Sequence, residues 1–327
     1  MRALVMTSPG GSENSHVRET DEPRPGPGEV SIDVAYAGLN FMDVMARRGD
    51  AGYATSWPYR PGLEVSGTVR EVGAGVAGLA AGDRVAAVPA GGGLAEIALA
   101  RAELAVPVPA DVSLRIAAAT PLGLTTALLL LEAGHLAPGD SVLVHSASGG
   151  IGGALAQLVP LLGGGRLIGT VGRQEKVAAA ERSGYDVAVA RGDRMAEAIR
   201  AANDGRGIDV VLDPLGTTAL ELDLEIAAPG ARVVMFGNAT GEPLGPLPSA
   251  GRLIGGNITL SGFSHRGLLA ASPQKVSTAI RRVLGFLAAG QLSLPVVELP
   301  SLDDVPAAHD LLAAGHGTGK YVVRTPR

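Results

Sequence analysis

The sequence predicts an α/β protein of two domains, one rich in β-strands and one with a doubly wound parallel sheet. The length of 327 residues suits two domains of ordinary size. The first third of the chain breaks into short apolar runs between Gly and Pro, whereas the middle alternates apolar strands with helical stretches. These patterns predict a β-rich domain at residues 1–118 and 266–327 and a parallel-sheet domain at 119–265.

Composition narrows the class of protein. Hydrophobic residues make up 46% and charged residues 18%, which favours a folded chain, and a net charge of −5 argues against binding to nucleic acid or anionic membranes. The chain has no Cys, which excludes disulfides, cysteine nucleophiles and thiolate metal sites, and its six His show no metal-ligand spacing. Only three of the 27 cationic residues are Lys, which we attribute to codon usage.

No segment reads as a membrane span or a targeting signal. The longest uncharged stretch, residues 116–131, contains Pro and Gly and falls short of the roughly 20 apolar residues of a spanning helix. We interpret it as a buried core helix. The N-terminal apolar run is also shorter than the ~7–15 residues of a signal-peptide core, so we expect a cytoplasmic protein.

The elements of each predicted domain follow from local patterns. In the first domain, the runs VSIDVAYAG, VSGTVREVG and DRVAAVPA alternate in polarity between turn residues, as in an antiparallel barrel or sandwich. In the second, near-continuous apolar strands alternate with helices, as in a parallel sheet. Its predicted strands are 141–147, 166–172, 186–190, 208–216, 231–237 and 258–264. After 265 we expect a helix, a strand, a helix and a last strand that pack onto the first domain.

The strongest chemical signal is the glycine-rich turn after the first parallel strand, HSASGGIGG from His145 to Gly153. Gly149 and Gly152 allow a tight turn and a close approach of helix to strand, while Ser146 stands at the first glycine position of the usual G-x-G-x-x-G pattern. The helix that follows offers free N–H groups to a pyrophosphate. The predicted contacts are Ser148, Gly149, Gly150 and Ile151. A glycine-rich turn without a ligand is the alternative.

The end of the second parallel strand indicates which dinucleotide would bind. NAD sites place an acid there for the ribose 2′-hydroxyl, but this strand ends in Gly172 and Arg173. Arg173 and Lys176 are suited to clamp a 2′-phosphate, and Arg191 after the third strand is a further candidate. The turn therefore favours NADPH. The alternative is that these cations are solvated surface charges in an Arg-rich chain.

Nine segments together carry a resemblance that covers nearly the whole chain. The chain resembles the zinc-free, zeta-crystallin-like quinone oxidoreductases of the medium-chain dehydrogenase/reductase superfamily. The segments are AGLNFMDVMARRG (37–49), RPGLEVSGTVREVG (60–73), GDRVAA (82–87), GLAEIALA (93–100), PLGLTTAL (121–128), HSASGGIGGALAQL (145–158), VLDPLG (211–216), VVMFGNATG (233–241) and TLSGFS (259–264).

The resemblance implies a GroES-like β-rich catalytic domain and a doubly wound parallel (Rossmann) nucleotide-binding domain. It also implies NADPH, a cofactor cleft between the domains and a homodimer. By position, Asn40 and Asp43 should lie near the nicotinamide and Thr126 near its carboxamide. Further cofactor or cleft contacts implied by the resemblance are Phe236, Gly237, Asn238, Phe263, Ser264 and Arg324.

The chain departs from its relatives at several of these positions. Zinc-bearing relatives carry a Cys in the first segment and a His before the Glu of the second, whereas here Leu63 precedes Glu64, which implies a metal-free site. The family often has a Tyr shortly after the R-x-G of the first segment, and Tyr53, the candidate proton donor, is shifted from that position by a residue or two. Arg191 and Phe41 stand where relatives often have Tyr.

Without a metal, the easiest hydride acceptor is an electron-poor quinone or an α,β-unsaturated carbonyl. Charge would develop on the acceptor oxygen, where Asn40, Thr126, Tyr53 or water are candidate donors. An aromatic cluster, Phe41, Tyr53, Trp57 and Tyr59, would form a flat wall for a planar substrate, or it simply packs a barrel loop.

Three functions stay open. The first is an NADPH-dependent quinone or enone reductase. The second is a specialised enoyl reductase acting on acyl thioesters or on a secondary-metabolite, polyketide-type intermediate. Arg47, Arg48 and Arg60 are the only local candidates for the basic patch that the second would need. The third is an NADPH-binding protein with a structural or regulatory role and little turnover. Fold and cofactor do not separate the first two, because specificity depends on pocket shape.

Overall fold

The computed structural model describes residues 1–317 and 319–325, and the contacts divide the chain into two units. The first unit comprises Met1–Thr125 and Leu268–Arg327, and the second comprises Thr126–Gly267. The domain boundaries expected from the sequence, 118/119 and 265/266, stay predictions. No helix in the described residues is both long and apolar enough to span a bilayer.

Fifteen strands are present in the described residues. They are β1 (Arg2–Met6), β2 (Ser15–Glu19), β3 (Glu29–Gly38), β4 (Val65–Val72), β5 (Arg84–Ala87), β6 (Ile97–Arg101), β7 (Ala105–Pro107), β8 (Val142–His145), β9 (Leu167–Val171), β10 (Val187–Ala190), β11 (Ile208–Asp213), β12 (Ala227–Met235), β13 (Thr259–Gly262), β14 (Val296–Leu299) and β15 (Lys320–Arg324).

Eleven α-helices accompany the strands in the same residues. They are α1 (Phe41–Arg48), α2 (Leu114–Ala117), α3 (Thr125–Ala133), α4 (Gly150–Leu161), α5 (Val177–Arg182), α6 (Met195–Ala202), α7 (Leu220–Ile226), α8 (Ala250–Gly256), α9 (His265–Ala271), α10 (Pro273–Ala288) and α11 (Val305–Ala313).

The first unit is built on a seven-stranded sheet with the order β14-β15-β3-β4-β5-β7, in which β6 also pairs with β3. Its pairings are antiparallel except for that of β14 with β15. The core consists of the inward side chains of alternating strand positions, among them Val30, Ile32 and Val34 of β3. The C-terminal strand β15 pairs with β3, which joins the last segment of the chain to the sheet of the first unit.

The second unit contains a six-stranded, fully parallel sheet with the order β10-β9-β8-β11-β12-β13. In this doubly wound order, β9 and β10 are added on one side of the first strand, β8, and the later strands are added on its other side. Its central strands are the most buried because helices cover both faces: every residue of β8 and β9 is buried, and all but one of β11. The predicted α/β class with a doubly wound sheet is confirmed.

Several helices differ from the sequence prediction. The stretch 116–131 is not one helix: α2 ends at Ala117 and α3 begins at Thr125, with a wide, π-helical turn at Thr120–Leu124 that contains Pro121. Proline breaks the regular pattern because it lacks an N–H group. Helix α1 was not anticipated, although the Asp43 carboxylate accepts the N–H of Asn40 at its start, which is a recognisable capping arrangement.

Candidate active site

The turn between β8 and α4 is tight and leads directly into a helix N-terminus. Gly149 donates its N–H to the carbonyl oxygen of Ser146 at 3.0 Å and precedes the first helical residue, Gly150. Ser146 has a φ angle of 60°, the left-handed conformation that glycine adopts most easily. Ser146 therefore takes the backbone conformation expected of a glycine. The predicted contacts Ser148, Gly149, Gly150 and Ile151 are half-buried at this helix start.

Gly152 lets α4 pack closely on the end of β8. A Cβ atom at this position would lie 2.2 Å from the carbonyl oxygen of Ala147. The neighbouring Gly153 is different, because a Cβ atom there would meet no atom within 4 Å. The close approach predicted for Gly152 is therefore a property of that one glycine.

Cationic side chains lie at the same edge of the sheet as the turn. Gly172 and Arg173 follow β9 and are exposed, Lys176 lies half-buried just beyond them, and Arg191 follows β10. Because the strands are parallel, their carboxyl ends meet at one edge. The Nη2 atom of Arg191 lies 3.4 Å from the hydroxyl oxygen of Ser146, which links this cation to the glycine-rich turn.

The charges beside β9 fit a phosphate group. The pKa of Lys176 lies below its usual value because the ammonium is partly buried and the Arg173 guanidinium is nearby. Glu175 offsets this repulsion weakly, since its Oε1 is 3.9 Å from Arg173 Nη1 and its side chain is 70% exposed. No carboxylate directly follows β9 to receive a ribose 2′-hydroxyl. A 2′-phosphorylated dinucleotide therefore fits this edge better than an unphosphorylated one.

A buried polar network that no sequence motif predicts lies under the same edge. The ring of His145 lies 2.8 Å through Nδ1 from the Thr170 hydroxyl and 2.7 Å through Nε2 from Asp223 Oδ1. Asp213, at the end of β11, accepts the N–H of Leu215 at 2.6 Å. Burial and then the neighbouring Asp223 raise the pKa of Asp213 to about 7, and the nearby His145 opposes the shift.

The other predicted residues of the second unit sit at strand ends or in α3. Phe236 and Phe263 are half-buried. Their N–H groups continue the hydrogen bonding of the sheet by donating to the backbone carbonyl oxygens of Asp213 and Met235, respectively, each at 2.8 Å. Asn238 is tied within its own loop, its amide donating to Glu242 at 2.8 Å. Gly237 and Ser264 are exposed next to these residues, while Thr126 is buried in the first turn of α3.

In the first unit, Asn40 and Asp43 are adjacent, and the Asp43 carboxylate is engaged by the backbone. Its two oxygens accept backbone N–H groups, Oδ2 from Asn40 at 2.9 Å and Oδ1 from Gly62 at 3.1 Å. Burial raises the pKa of Asp43 to about 6, although these two N–H donors and the Lys320 ammonium oppose the shift. Asp43 thus joins the start of α1 to the loop before β4.

Two charged residues beside Asn40 were not singled out as site residues from the sequence. Glu64 is fully buried and Lys320 is 4% exposed, and they form an ion pair. Lys320 also donates to the Asn40 carboxamide oxygen at 2.8 Å and to the carbonyl oxygen of Leu39 at 2.7 Å. Glu64 Oε1 accepts from Asn40 Nδ2 at 3.1 Å. The carboxamide of Asn40 is therefore held on both sides.

The remaining candidates of the first unit are less closely joined to this group. Tyr53 is half-buried in the loop after α1, where its N–H donates to Asp50 at 3.3 Å. In the aromatic cluster, the Trp57 and Tyr59 rings meet edge to face at 6.3 Å. Arg324 is exposed on β15, paired in register with Tyr36. The described residues contain no group of three or more His, Asp or Glu arranged to hold a metal ion.

Comparison with known families accounts for most of the chain. Residues 26–110 match the alcohol dehydrogenase GroES-like domain, and residues 150–285 match the zinc-binding dehydrogenase domain. These two regions lie largely in the first and second units, respectively. The predicted combination of a GroES-like and a Rossmann domain is thereby confirmed.

Individual relatives agree with the family models. The chain is 33% identical to a quinone oxidoreductase of Pseudomonas aeruginosa, over 98% of this chain and 99% of that protein. It is 30% identical to a mycocerosic acid synthase-like polyketide synthase of Mycolicibacterium smegmatis, of whose length it spans 15%. The crystal structure of Escherichia coli quinone oxidoreductase complexed with NADPH superposes with a TM-score of 0.90 at 27% identity, covering 99% of this chain and 100% of that one. The chain belongs to the quinone oxidoreductase family of the medium-chain dehydrogenase/reductase superfamily.

Proposed function

We propose that the protein is an NADPH-dependent reductase that transfers hydride to a quinone or an α,β-unsaturated carbonyl without a metal ion. The observation that carries the proposal is the pairing of the β8–α4 turn with cations instead of an acid after β9. The relatives with quinone oxidoreductase names, one of them solved with NADPH, support the cofactor and the reaction class.

In this proposal, the second unit binds and orients the cofactor. The N–H groups at the start of α4 and the positive end of its dipole bind the pyrophosphate. Arg173 and Lys176 hold the 2′-phosphate, and Arg191 contributes a third charge beside Ser146. The bound NADPH supplies the hydride. The chain itself needs no strong base for this step, because the acceptor is already electron-poor.

The Asn40 amide has no free hydrogen to donate to the acceptor oxygen on which charge develops. The Asn40 amide nitrogen already donates to Glu64 at 3.1 Å and to the Gly38 carbonyl at 3.3 Å, so both of its hydrogens are used. Of the residues that the sequence nominated, the hydroxyl groups of Thr126 and Tyr53 are left, together with water. We propose that the final proton comes from solvent.

A specialised enoyl reductase is the second candidate, and the likeness to a polyketide synthase supports it. The local arginines do not add to that support. Arg47 is buried and paired with Asp310 at 2.8 Å, and Arg48 pairs with Asp50, which leaves Arg60 as the remaining member of the expected patch. Paired arginines are poorly suited to attract the phosphate of an acyl carrier.

A screen of NADPH oxidation tests these alternatives directly. Quinones, enones and enoyl thioesters are offered in parallel, each with NADPH and with NADH. Turnover with 1,4-benzoquinone supports the first proposal, preference for enoyl thioesters supports the second, and no turnover with any acceptor despite NADPH binding supports a structural or regulatory protein.

Arg173→Ala tests the cofactor assignment. We expect a higher KM for NADPH, an unchanged KM for NADH and therefore a narrower gap between the two. Arg182→Ala is a matched control, since Arg182 is an exposed arginine at the end of α5. Identical kinetics for Arg173→Ala and the unaltered protein would overturn the phosphate assignment.

We also propose a homodimer. Leu244, Leu247 and Ile254 are 65–75% exposed in the segment that precedes the edge strand β13, which supports a covering partner there. Light scattering after gel filtration gives the mass, and Ile254→Glu should shift it toward the monomer. The cytoplasmic location stays a prediction.

A further inference from the structure

We propose that the buried Glu64–Lys320 pair is a positioning device that fixes the Asn40 carboxamide relative to the turn before α3, which leads to Thr126. This inference rests on the proposed function for its catalytic consequence. Its structural basis is independent of that function, because it consists of contacts within the first unit.

Glu64 connects two segments of the chain through one carboxylate. Oε1 accepts from Asn40 Nδ2 at 3.1 Å, at the start of α1. Oε2 accepts the N–H groups of Leu122 at 2.8 Å and Gly123 at 3.2 Å, in the turn that leads into α3. A Cβ atom on Gly38 would lie 2.5 Å from Oε1, so the carboxylate occupies space that only a glycine at this position leaves open.

Lys320 completes a closed ring of hydrogen bonds. Its three donors are directed to Glu64, to the Asn40 carboxamide oxygen and to the Leu39 carbonyl oxygen. An ammonium beside Oδ1 and a carboxylate beside Nδ2 permit only one orientation of the Asn40 amide. The pair thereby sets which face of that side chain is donor and which is acceptor.

Stability alone does not explain a pair of this kind. Removing two charges from water costs several kcal/mol per ion in general, and well-packed neutral residues are often as stable. A positioning role gives the charges a purpose that a neutral pair could not serve. In a Glu64→Gln/Lys320→Met variant, the Gln carbonyl oxygen would still accept the N–H groups of Leu122 and Gly123. In that variant the Gln amide would face Asn40 Nδ2, donor against donor, so the Asn40 amide should rotate and exchange its two faces.

The test compares this double variant with Glu64→Asp, which retains the charge but is one methylene too short to reach both segments. Asp310→Asn serves as the control, because it disrupts a different ion pair at the far end of α1. Measurements are amide hydrogen exchange of peptides covering 38–48 and 119–126, NADPH affinity by calorimetry, and kcat and KM with 1,4-benzoquinone.

We expect faster exchange at the Leu122 and Gly123 amides in Glu64→Asp and, because this turn leads to the candidate donor Thr126, a kcat lowered about 10- to 100-fold with NADPH affinity unchanged. In the double variant, where Asn40 loses its fixed orientation, we expect faster exchange in the peptide covering 38–48. The control should retain kcat within about twofold. Wild-type exchange together with wild-type kcat in the Glu64 variants would overturn the inference. If the unaltered protein turns over no acceptor, the proposed function fails. The exchange experiment then still decides the inference: faster exchange in Glu64→Asp supports the connection that Glu64 makes between the two segments, and unchanged exchange refutes it.

Discussion

The Gly152→Ala variant, which adds one methyl group, should fold but bind NADPH more weakly. The new Cβ atom would lie 2.2 Å from the Ala147 carbonyl oxygen and 2.6 Å from its carbonyl carbon, where contacts below 3.0 Å essentially never occur. Helix α4 must therefore move away from the end of β8 by about 1 Å, and overpacking of this kind costs ~1–3 kcal/mol. Its N–H groups move with it.

The affinity for NADPH should fall accordingly. A displacement of that size commonly weakens a geometrically demanding interaction about 10- to 100-fold, which corresponds to roughly 1.4–2.7 kcal/mol. Gly153→Ala is the matched control, because its methyl group meets nothing within 4 Å. Replacing this helical glycine should stabilise the protein by up to ~1 kcal/mol and leave binding nearly unchanged.

The assays are urea unfolding for stability and isothermal calorimetry for the NADPH dissociation constant, measured on both variants and the unaltered protein. If Gly152→Ala folds and binds NADPH as tightly as Gly153→Ala, the start of α4 does not hold the pyrophosphate. If both variants lose affinity equally, the close approach at Gly152 is irrelevant to binding.

Three further outcomes are expected. Burial, and then the Arg47 charge, lower the pKa of His309 to about 3, so its stabilising contribution is lost as pH falls below the unfolded value near 6.5. Between pH 7 and pH 5, the His309→Leu variant should therefore lose about 2 kcal/mol less unfolding free energy than the unaltered protein. His316→Gln, at an exposed histidine, is the control and should lose as much as the unaltered protein. Equal losses in the two variants would contradict the assignment. Ser146→Gly should maintain or raise stability by up to ~1 kcal/mol in urea unfolding because φ is 60°, and clear destabilisation would argue against the left-handed backbone. EDTA should leave NADPH oxidation intact, while loss of activity restored by zinc would overturn the metal-free proposal.

Local sequence patterns were sufficient for the second unit and for the turn that it carries. Strands such as β8 and β9 are buried and mostly apolar, and the helix start is marked by Gly149 and Gly150, so each feature is decided within a few residues. Helix α1 escaped notice because it has only eight residues and follows a strand directly. Proline in the middle of 116–131 did signal the break between α2 and α3, but the apolar content of the stretch outweighed it in our interpretation.

The polar networks could not be predicted in the same way because their members are distant in sequence. Lys320 meets Asn40 across 280 positions, and His145 meets Asp223 across 78. Tertiary pairing of this kind depends on sheet order, as when β15 joins β3 and carries Lys320 toward Leu39. Neither a motif nor a periodicity encodes it.

The scarcity of lysine was nevertheless a usable signal. In a chain where arginine supplies nearly every cation, a lysine stands out as a position that arginine has not taken. At Lys320 the structure gives a reason: three acceptors surround a single buried nitrogen, which suits the three donors of an ammonium. A planar guanidinium directs five donors in a fixed fork and is larger, so two of its N–H groups would be left without acceptors in this space. We attribute the small number of lysines to codon usage, whereas the hydrogen-bonding geometry explains why this one is a lysine.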